Sequence, residues 1–357
     1  MAGRTTIQDI ADALGVSRNT VSKAINNTGI LADATKEKVL QKAVEMGYKQ
    51  FSYIDISNID LNKSARTQTE NATTGEIALF TTNFLGGSHF ASPMLDKFHN
   101  EIAQLGYSLT MHRVTSEDIE NMQLPISYNA ERTVGILCIE MFDYRYNKMI
   151  CDLEIPALFV DAPALPQEPL NADLLLMNNQ DGIYSFINEM FRRGKKKIGF
   201  IGQYSHCRSF FERYMSYKNA MYLLNLPCQE KYCITSNKKE ARIPGYDAYR
   251  DYLKEYFQTL DELPDVFICA NDFVAIDALQ VFKQLGISVP HDVYLCGFDD
   301  SPESKVMTPS LTTIHIHSQI MGVCATQLLL SRIKEPSLHY RTIHTETNLI
   351  YRESTED

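Results

Sequence analysis

From Glu76 onward, short apolar runs alternate with longer helical stretches, and no other feature of this sequence narrows its fold so far. The runs are EIALFTT, YSLTMHR, VGILCIE, PALFVDA, KIGFIG, DVFICA and VYLCGFDD, rich in Ile, Val, Phe and Leu. Helical patterns lie between several of them, at Met94 to Leu105, Tyr184 to Arg193, Phe211 to Leu224 and Phe273 to Leu285. That alternation predicts parallel sheets covered by helices on both faces. Such sheets present ligands to the carboxyl ends of their strands. Asp161 in FVDA, Asp299 in GFDD, and Asn271 with Asp272 after DVFICA stand at such ends. Asp272 also reads as a helix N-cap beside Asn271, and Asp161 and Asp299 each either order a turn or face a ligand. In KEARIPGYDAYRDYLKEYF the tyrosines recur at roughly helical spacing, which predicts helix packing.

The front of the chain follows a different rule. Ile7, Ile10, Ala11 and Leu14 fall on one face of a short helix, which Gly15 can end in a left-handed conformation. Ser17 is suited to cap a second helix, with Val21, Ala24 and Ile25 inward and Arg18, Asn19, Ser22 and Lys23 on the other side. A third helix is expected from Asp33 to Met46, with Val39, Leu40, Ala43 and Met46 inward. Two short helices and a tight turn braced by a third make a helix-turn-helix. Arg and Lys donate to guanine, Asn pairs with adenine, and Ser and Thr suit phosphates. Charge agrees with this division. Residues 1 to 50 hold seven Lys/Arg against five Asp/Glu, within a chain whose net charge is -10. A basic contact segment thus precedes an acidic body.

The segment TTIQDIADALGVSRNTVSKAINNTGILADATKEKVLQKAVEMGY resembles the DNA-binding headpiece of the lactose-repressor (LacI/GalR) family. The resemblance implies that Arg18, Asn19 and Lys23 read bases, while Thr6, Ser17, Thr20, Ser22 and Asn26 position the backbone. Residues 75 to 353 resemble the same family's periplasmic-binding-protein-like effector domain. The resemblance rests on RRGKKKIGFIG, ERYMSYKNAM, PDVFICANDFVAIDAL, LGISVPHDVYLCGFDDSPESKVMTPSLTTIHI and TNLIYRES taken together. The fold it implies is an all-α helix-turn-helix headpiece (1–50) followed by an α/β body of two doubly wound lobes with the ligand in the cleft. By the same resemblance Asp272 binds effector hydroxyls. Arg213, in R-x-x-x-Y with Ser216 replacing the family's glycine, becomes a fork donor to a sugar or acid group. Ser88, His89 and Phe90, in GGSHFASPM, fall where the family's first cleft loop lies.

Between headpiece and body the sequence departs from the family pattern. The family's hinge signature is N-x-x-A-R-x-L, but residues 51 to 74 contain no A-R-x-L, and Asp55 and Asp60 would face phosphates there. Ile54, Ile56 and Ile59 are the available apolar wedges. Residues 61 to 74 read as a polar linker.

Several classes are disfavoured. No uncharged apolar run is long enough to span a membrane, and MAGRTTIQDIADAL lacks a secretory core, so a cytoplasmic protein is expected. The eight cysteines include no CxxC pair and no zinc spacing, so neither metal nor other cofactor is expected. No nucleophile elbow, Walker loop, GxGxxG or HExxH is present, which speaks against an enzyme with catalytic residues. The expectation is a regulator, acting as a homodimer on near-palindromic double-stranded operator DNA and released or recruited by a small effector, a sugar or sugar derivative. The alternative is a cytoplasmic sugar-binding module with weakened DNA function.

Overall fold

The computed structural model describes residues 6–25, 35, 38–39, 42–43, 46, 74–82, 90–164, 168–235 and 244–356. The chain divides into two compact units, Met1–Asn71 and Ala72–Asp357. The expected hinge at 51–60, the linker to residue 73, and the site candidates Asn26, Ser88 and His89 lie outside the described residues.

In the first unit, α1 (Ile7–Leu14) starts at a capping box and α2 (Arg18–Ile25) follows one tight turn later. The Thr6 hydroxyl accepts from the Asp9 amide at 3.3 Å while the Asp9 carboxylate accepts from the Thr6 amide at 2.7 Å. Gly15 closes α1 at φ 65°, the left-handed conformation that glycine adopts without strain. Ser17 Oγ then accepts from the Thr20 amide at 3.1 Å, which starts α2. Ile10, Ala11, Val21 and Ala24 are buried together with Val39 and Ala43, two of the helical residues of the third segment.

The second unit holds two parallel sheets. In the first lobe β1 (Gly75–Thr81), α3 (Ala91–Gln104), β2 (Tyr107–Arg113), α4 (Ser116–Asn121), β3 (Thr133–Ile139), α5 (Tyr144–Cys151), β4 (Ala157–Val160) and β5 (Asp173–Met177) follow in order. The chain then crosses to the second lobe. There it forms α6 (Asp181–Arg192), β6 (Ile198–Ile201), α7 (Arg208–Leu223), β7 (Cys233–Ile234), α8 (Asp247–Gln258), β8 (Val266–Cys269), α9 (Asp272–Leu285), β9 (Tyr294–Cys296), α10 (Pro302–Val306) and β10 (Thr313–Ile316). It returns through α11 (Ser318–Lys334), which packs on α3, and β11 (Thr342–Thr345), then crosses once more into β12 (Thr347–Ile350). The first sheet runs β11-β5-β4-β3-β1-β2 and the second β7-β6-β8-β9, with β10 and β12 an antiparallel pair.

Both sheets reverse their strand order at the first strand, β1 in one lobe and β6 in the other, as doubly wound folds do. Strand interiors are buried almost without alternation, as in β1, because helices cover both faces. The four expected helices are present, each beginning one to three residues earlier than its apolar pattern suggests, and the tyrosine-rich stretch is α8, with Tyr249 buried. Gly322 lets α11 lie against α3, since a Cβ there would stand 2.6 Å from the Met94 carbonyl oxygen.

A buried ionic knot of the body joins segments distant in sequence. Asp173, fully buried at the start of β5, accepts from Arg332 on α11 at 3.0 and 3.2 Å and from Arg341, just before β11, at 2.7 and 3.3 Å. The Arg341 amide adds a further bond at 2.7 Å. Burial alone would raise this carboxyl's pKa, but Arg341 and Arg332 outweigh it and hold it below the usual range.

Candidate functional site

Two surfaces carry the chemistry. On the first unit, Arg18, Asn19 and Lys23 of α2 are exposed, Ser22 and Thr20 are half-buried, and Val21 and Ala24 face the small core. The helix therefore shows a polar face that carries its two cations outward. Thr6, Ser17 and Thr20 spend side-chain bonds on the helix starts, with Ser17 Oγ and Thr20 Oγ1 2.8 Å apart. Their exposed amide-rich turns are the kind of surface that meets phosphates.

The second surface lies where the carboxyl ends of the strands of the body meet. Glu140 after β3, Asp161 after β4 and Asp299 after β9 all have positive φ, at 56°, 62° and 110°. Non-glycine residues adopt this region at a cost, and such residues cluster at ligand sites. Arg213, on the second turn of α7, is 2% exposed and stands among these carboxylates. Its Nε donates to Asn179 Oδ1 at 2.9 Å, its Nη1 donates to the Ala270 carbonyl at 2.6 Å, and Nη1 lies 3.5 Å from Asp299 Oδ1. The guanidinium carbon sits 3.5 Å from the centroid of the Phe298 ring, a stacked cation–π arrangement.

The carboxylates differ sharply in their surroundings. Burial pushes Asp299 up to about 8; Arg213 opposes the shift, and the charges of Asp272, Glu140 and Asp161 add to it. Its neighbour Asp300 is held at about 2, because bonds from His315, Arg352 and Lys305 outweigh burial. Burial also raises Asp161, against bonds from the Ala162 and Ser209 amides at 2.8 and 3.1 Å. At neutral pH Asp299 therefore carries its proton and offers a donor as well as an acceptor.

Asp272 is placed differently from Asp299. It is fully buried; Oδ1 accepts from the Thr313 hydroxyl and Oδ2 from the Ser301 amide, both at 2.7 Å. Both oxygens are thus taken up in bracing the 297–301 loop against β10, and burial still pushes the group up to about 6. Asp272, read from the sequence as both a cap and an effector ligand, thus spends both carboxylate oxygens on bonds inside the protein. Asn271 Oδ1 accepts from the Val274 amide at 3.1 Å and caps α9. Phe90 is buried at the start of α3, in a core cluster that draws on both lobes.

Residues that pattern reading passed over surround this cluster. Asn179, in the first crossing between lobes, links Arg213 to Glu212, donating to Glu212 Oε2 at 2.9 Å. Glu212 also accepts from Arg208 at 2.8 Å and approaches His344 of β11 at 3.6 Å, and these partners outweigh burial and hold it at about 2. The His206 ring lies 5.1 Å from both the Phe142 ring of the first lobe and the Phe210 ring of the second. His206 is exposed by area yet walled by protein, and that enclosure lowers its pKa. Nothing in the sequence marks Asn179 or Phe142, whereas Glu140 ends the expected run VGILCIE and was legible as a strand end. A separate cavity of about 240 Å³, lined by Cys324, Gln327, Leu328, Ser331, Arg341 and Ile343, lies between α11 and β11 and holds none of these groups. Among the described residues no helix is long and apolar enough to cross a membrane.

Residues 6–50 match the family described as bacterial regulatory proteins, lacI family, and residues 187–355 match a periplasmic binding protein-like domain. The chain is 26% identical over 356 residues to the HTH-type transcriptional repressor PurR of Actinobacillus pleuropneumoniae serotype 3 (strain JL03), covering 99% of this chain and 98% of that one. It is 28% identical to the PurR of Histophilus somni (strain 129Pt), with 98% and 99% covered. Among solved structures it matches the transcriptional regulator CelR–cellobiose complex with a TM-score of 0.68 at 21% identity, covering 98% of this chain and all of that one. It matches the Lac repressor dimer bound to operator and the anti-inducer ONPF with a TM-score of 0.63 at 19% identity, covering 99% of each.

Proposed function

The chain belongs to the lacI family of bacterial regulatory proteins, DNA-binding repressors with a ligand-binding domain, and from that premise we propose a homodimeric repressor whose effector is a small polyhydroxylated molecule. The observation that carries the effector reading is the Arg213–Asp299 pair. A guanidinium fork, a protonated acid and the carboxylate of Asp161 match a ring bearing several hydroxyls, which both donate and accept. Phe142, His206 and Phe210 supply flat walls for the apolar face of such a ring. The likeness in fold to a cellobiose complex accords with this choice.

The effector acts by preferring one arrangement of the lobes, which changes the hold on DNA. Asn179 and His344 lie in or beside the crossings between lobes and bond to the Arg213–Glu212 network, so occupancy of the cleft bears on the crossings directly. Two α2 helices of a dimer address successive major grooves, so the operator is a near-palindrome.

A thermal-shift screen of sugars and sugar phosphates, followed by calorimetry, tests the effector. Arg213→Lys keeps the charge beside Asp299 but loses the fork. It is expected to weaken the effector by about 1–3 kcal/mol while operator binding without effector stays intact. Wild-type affinity in this variant would move the ligand elsewhere. The aromatic trio also favours a second reading, a planar heterocycle stacked on those rings, and the same screen with nucleobases decides between the two.

For the DNA contact, Arg18→Ala or Asn19→Ala is expected to cost about 1–3 kcal/mol on the operator and less on random DNA. A gel-shift titration on both DNAs checks it. Equal losses on both would reduce these side chains to phosphate contacts, and no specific operator shift by the wild type would favour a ligand-binding module with weakened DNA function.

A further inference from the structure

We infer that Cys228 and Cys233 form a reversible internal disulfide in response to a hydroperoxide, which makes the loop between α7 and β7 a redox modification site. The two sulfurs are 4.0 Å apart. Cys228 is half-buried in the loop after α7, and Cys233 is buried as the first residue of the edge strand β7. The Tyr217 hydroxyl, which donates to the Ile198 carbonyl at 2.8 Å, lies 3.4 Å from the Cys228 sulfur and 3.7 Å from that of Cys233. Lys218, next on the helix, is held nearby by Glu230 at 2.8 Å. A disulfide needs the sulfurs at about 2 Å, so they must close by about 2 Å.

The neighbours also set which sulfur reacts. The Cys233 thiol, the Tyr217 hydroxyl and the Lys218 ammonium hold Cys228 below the usual thiol range, whereas Cys233 is raised. The fully buried Cys138, Cys269 and Cys296 are pushed well up by burial and stay inert. The Cys228 thiolate attacks the peroxide O–O bond; an S–O bond forms, and the departing oxygen leaves as water with the proton Cys228 gave up. Cys233 then attacks the sulfenic sulfur; the S–S bond forms, the S–O bond breaks, and hydroxide leaves as water with the Cys233 proton. Two thiols lose two electrons, and one hydrogen peroxide becomes two waters. Any thiol reductant reverses the reaction. The loop continues the helix that carries Arg208, Glu212 and Arg213, so the modification falls on the element that supplies the cleft's cations.

The full-length protein is exposed to hydrogen peroxide, alkylated and digested with trypsin. Cleavage after Lys218, Lys231 and Lys238 places Cys228 in peptide 219–231 and Cys233 in peptide 232–238. The expected result is that these two peptides appear joined and separate again on treatment with dithiothreitol. In Cys233→Ser, dimedone should label Cys228; in Cys228→Ser, it should leave Cys233 unlabelled. Recovery of both peptides singly alkylated after peroxide overturns the inference. So does dimedone labelling spread evenly over Cys151, Cys228 and Cys324, the half-buried thiols.

Discussion

Asp173→Ala is expected to lower the stability of the body by about 3–5 kcal/mol, a large part of the roughly 5–15 kcal/mol that holds a typical domain folded. The loss follows from what the alanine leaves behind. Arg332 is 3% exposed and would remain charged with no carboxylate beside it. The Arg341 amide would also lose its acceptor. Urea denaturation at pH 7 checks the expected drop. The double variant Asp173→Ala with Arg332→Met should recover part of it, because the stranded charge goes too. The pH dependence has a definite sign. A carboxyl whose folded pKa is depressed stabilises the fold above its unfolded value, near pH 4, and that stability is lost as pH falls through the lower folded value. The gap between variant and wild type should therefore close in acid. A midpoint unmoved at pH 7 would make the knot ornamental.

Asp299→Asn is expected to do the opposite and stabilise the protein at pH 8. With its folded value raised to about 8, this carboxyl binds its proton more tightly folded than unfolded. Its contribution favours the fold at low pH and becomes a penalty as pH rises from about 4 towards about 8. Asparagine removes the titration and keeps the size. The gain should be on the order of 1–3 kcal/mol at pH 8, or roughly 2–4 °C of Tm per kcal/mol, and should vanish near pH 4. Thermal scans at the two pH values measure it, and parallel pH profiles for variant and wild type would refute it.

How far these groups were legible depends on how local their determinants are. The helices of the headpiece were readable because caps and periodicity act over four residues: Thr6, Gly15 and Ser17 do in three dimensions what their types imply. The long strands were readable because both their faces are buried. In β10, β11 and β12, written TIHI, TIHT and TNLI, polar side chains interrupt the apolar run, so these strands carried no such signal. The site was legible in outline only. Asp299 and Asp300 are identical and adjacent in sequence, yet one is raised to about 8 and the other held at about 2. What separates them is the arrival at Asp300 of Lys305, His315 and Arg352, the last two from 15 and 52 positions away. The place of Asp272 after a strand is likewise visible in the sequence, while Thr313, which bonds to it, lies 41 positions away.

The route of β11 also orders events in time. This strand completes the edge of the first sheet, pairing Thr342 with Leu174, and it is made by the ribosome long after the five strands and crossing that precede the second lobe. Arg341 lies 168 positions from the carboxylate it neutralises. A nascent chain that has reached only the end of the second lobe's sheet therefore exposes β5 as a raw edge, with Asp173 lacking both of its arginines. Strand edges of that kind invite pairing with other chains. The lobe begun first is closed only after the four-stranded sheet of the second has been made, and its maturation waits on nearly the whole of translation.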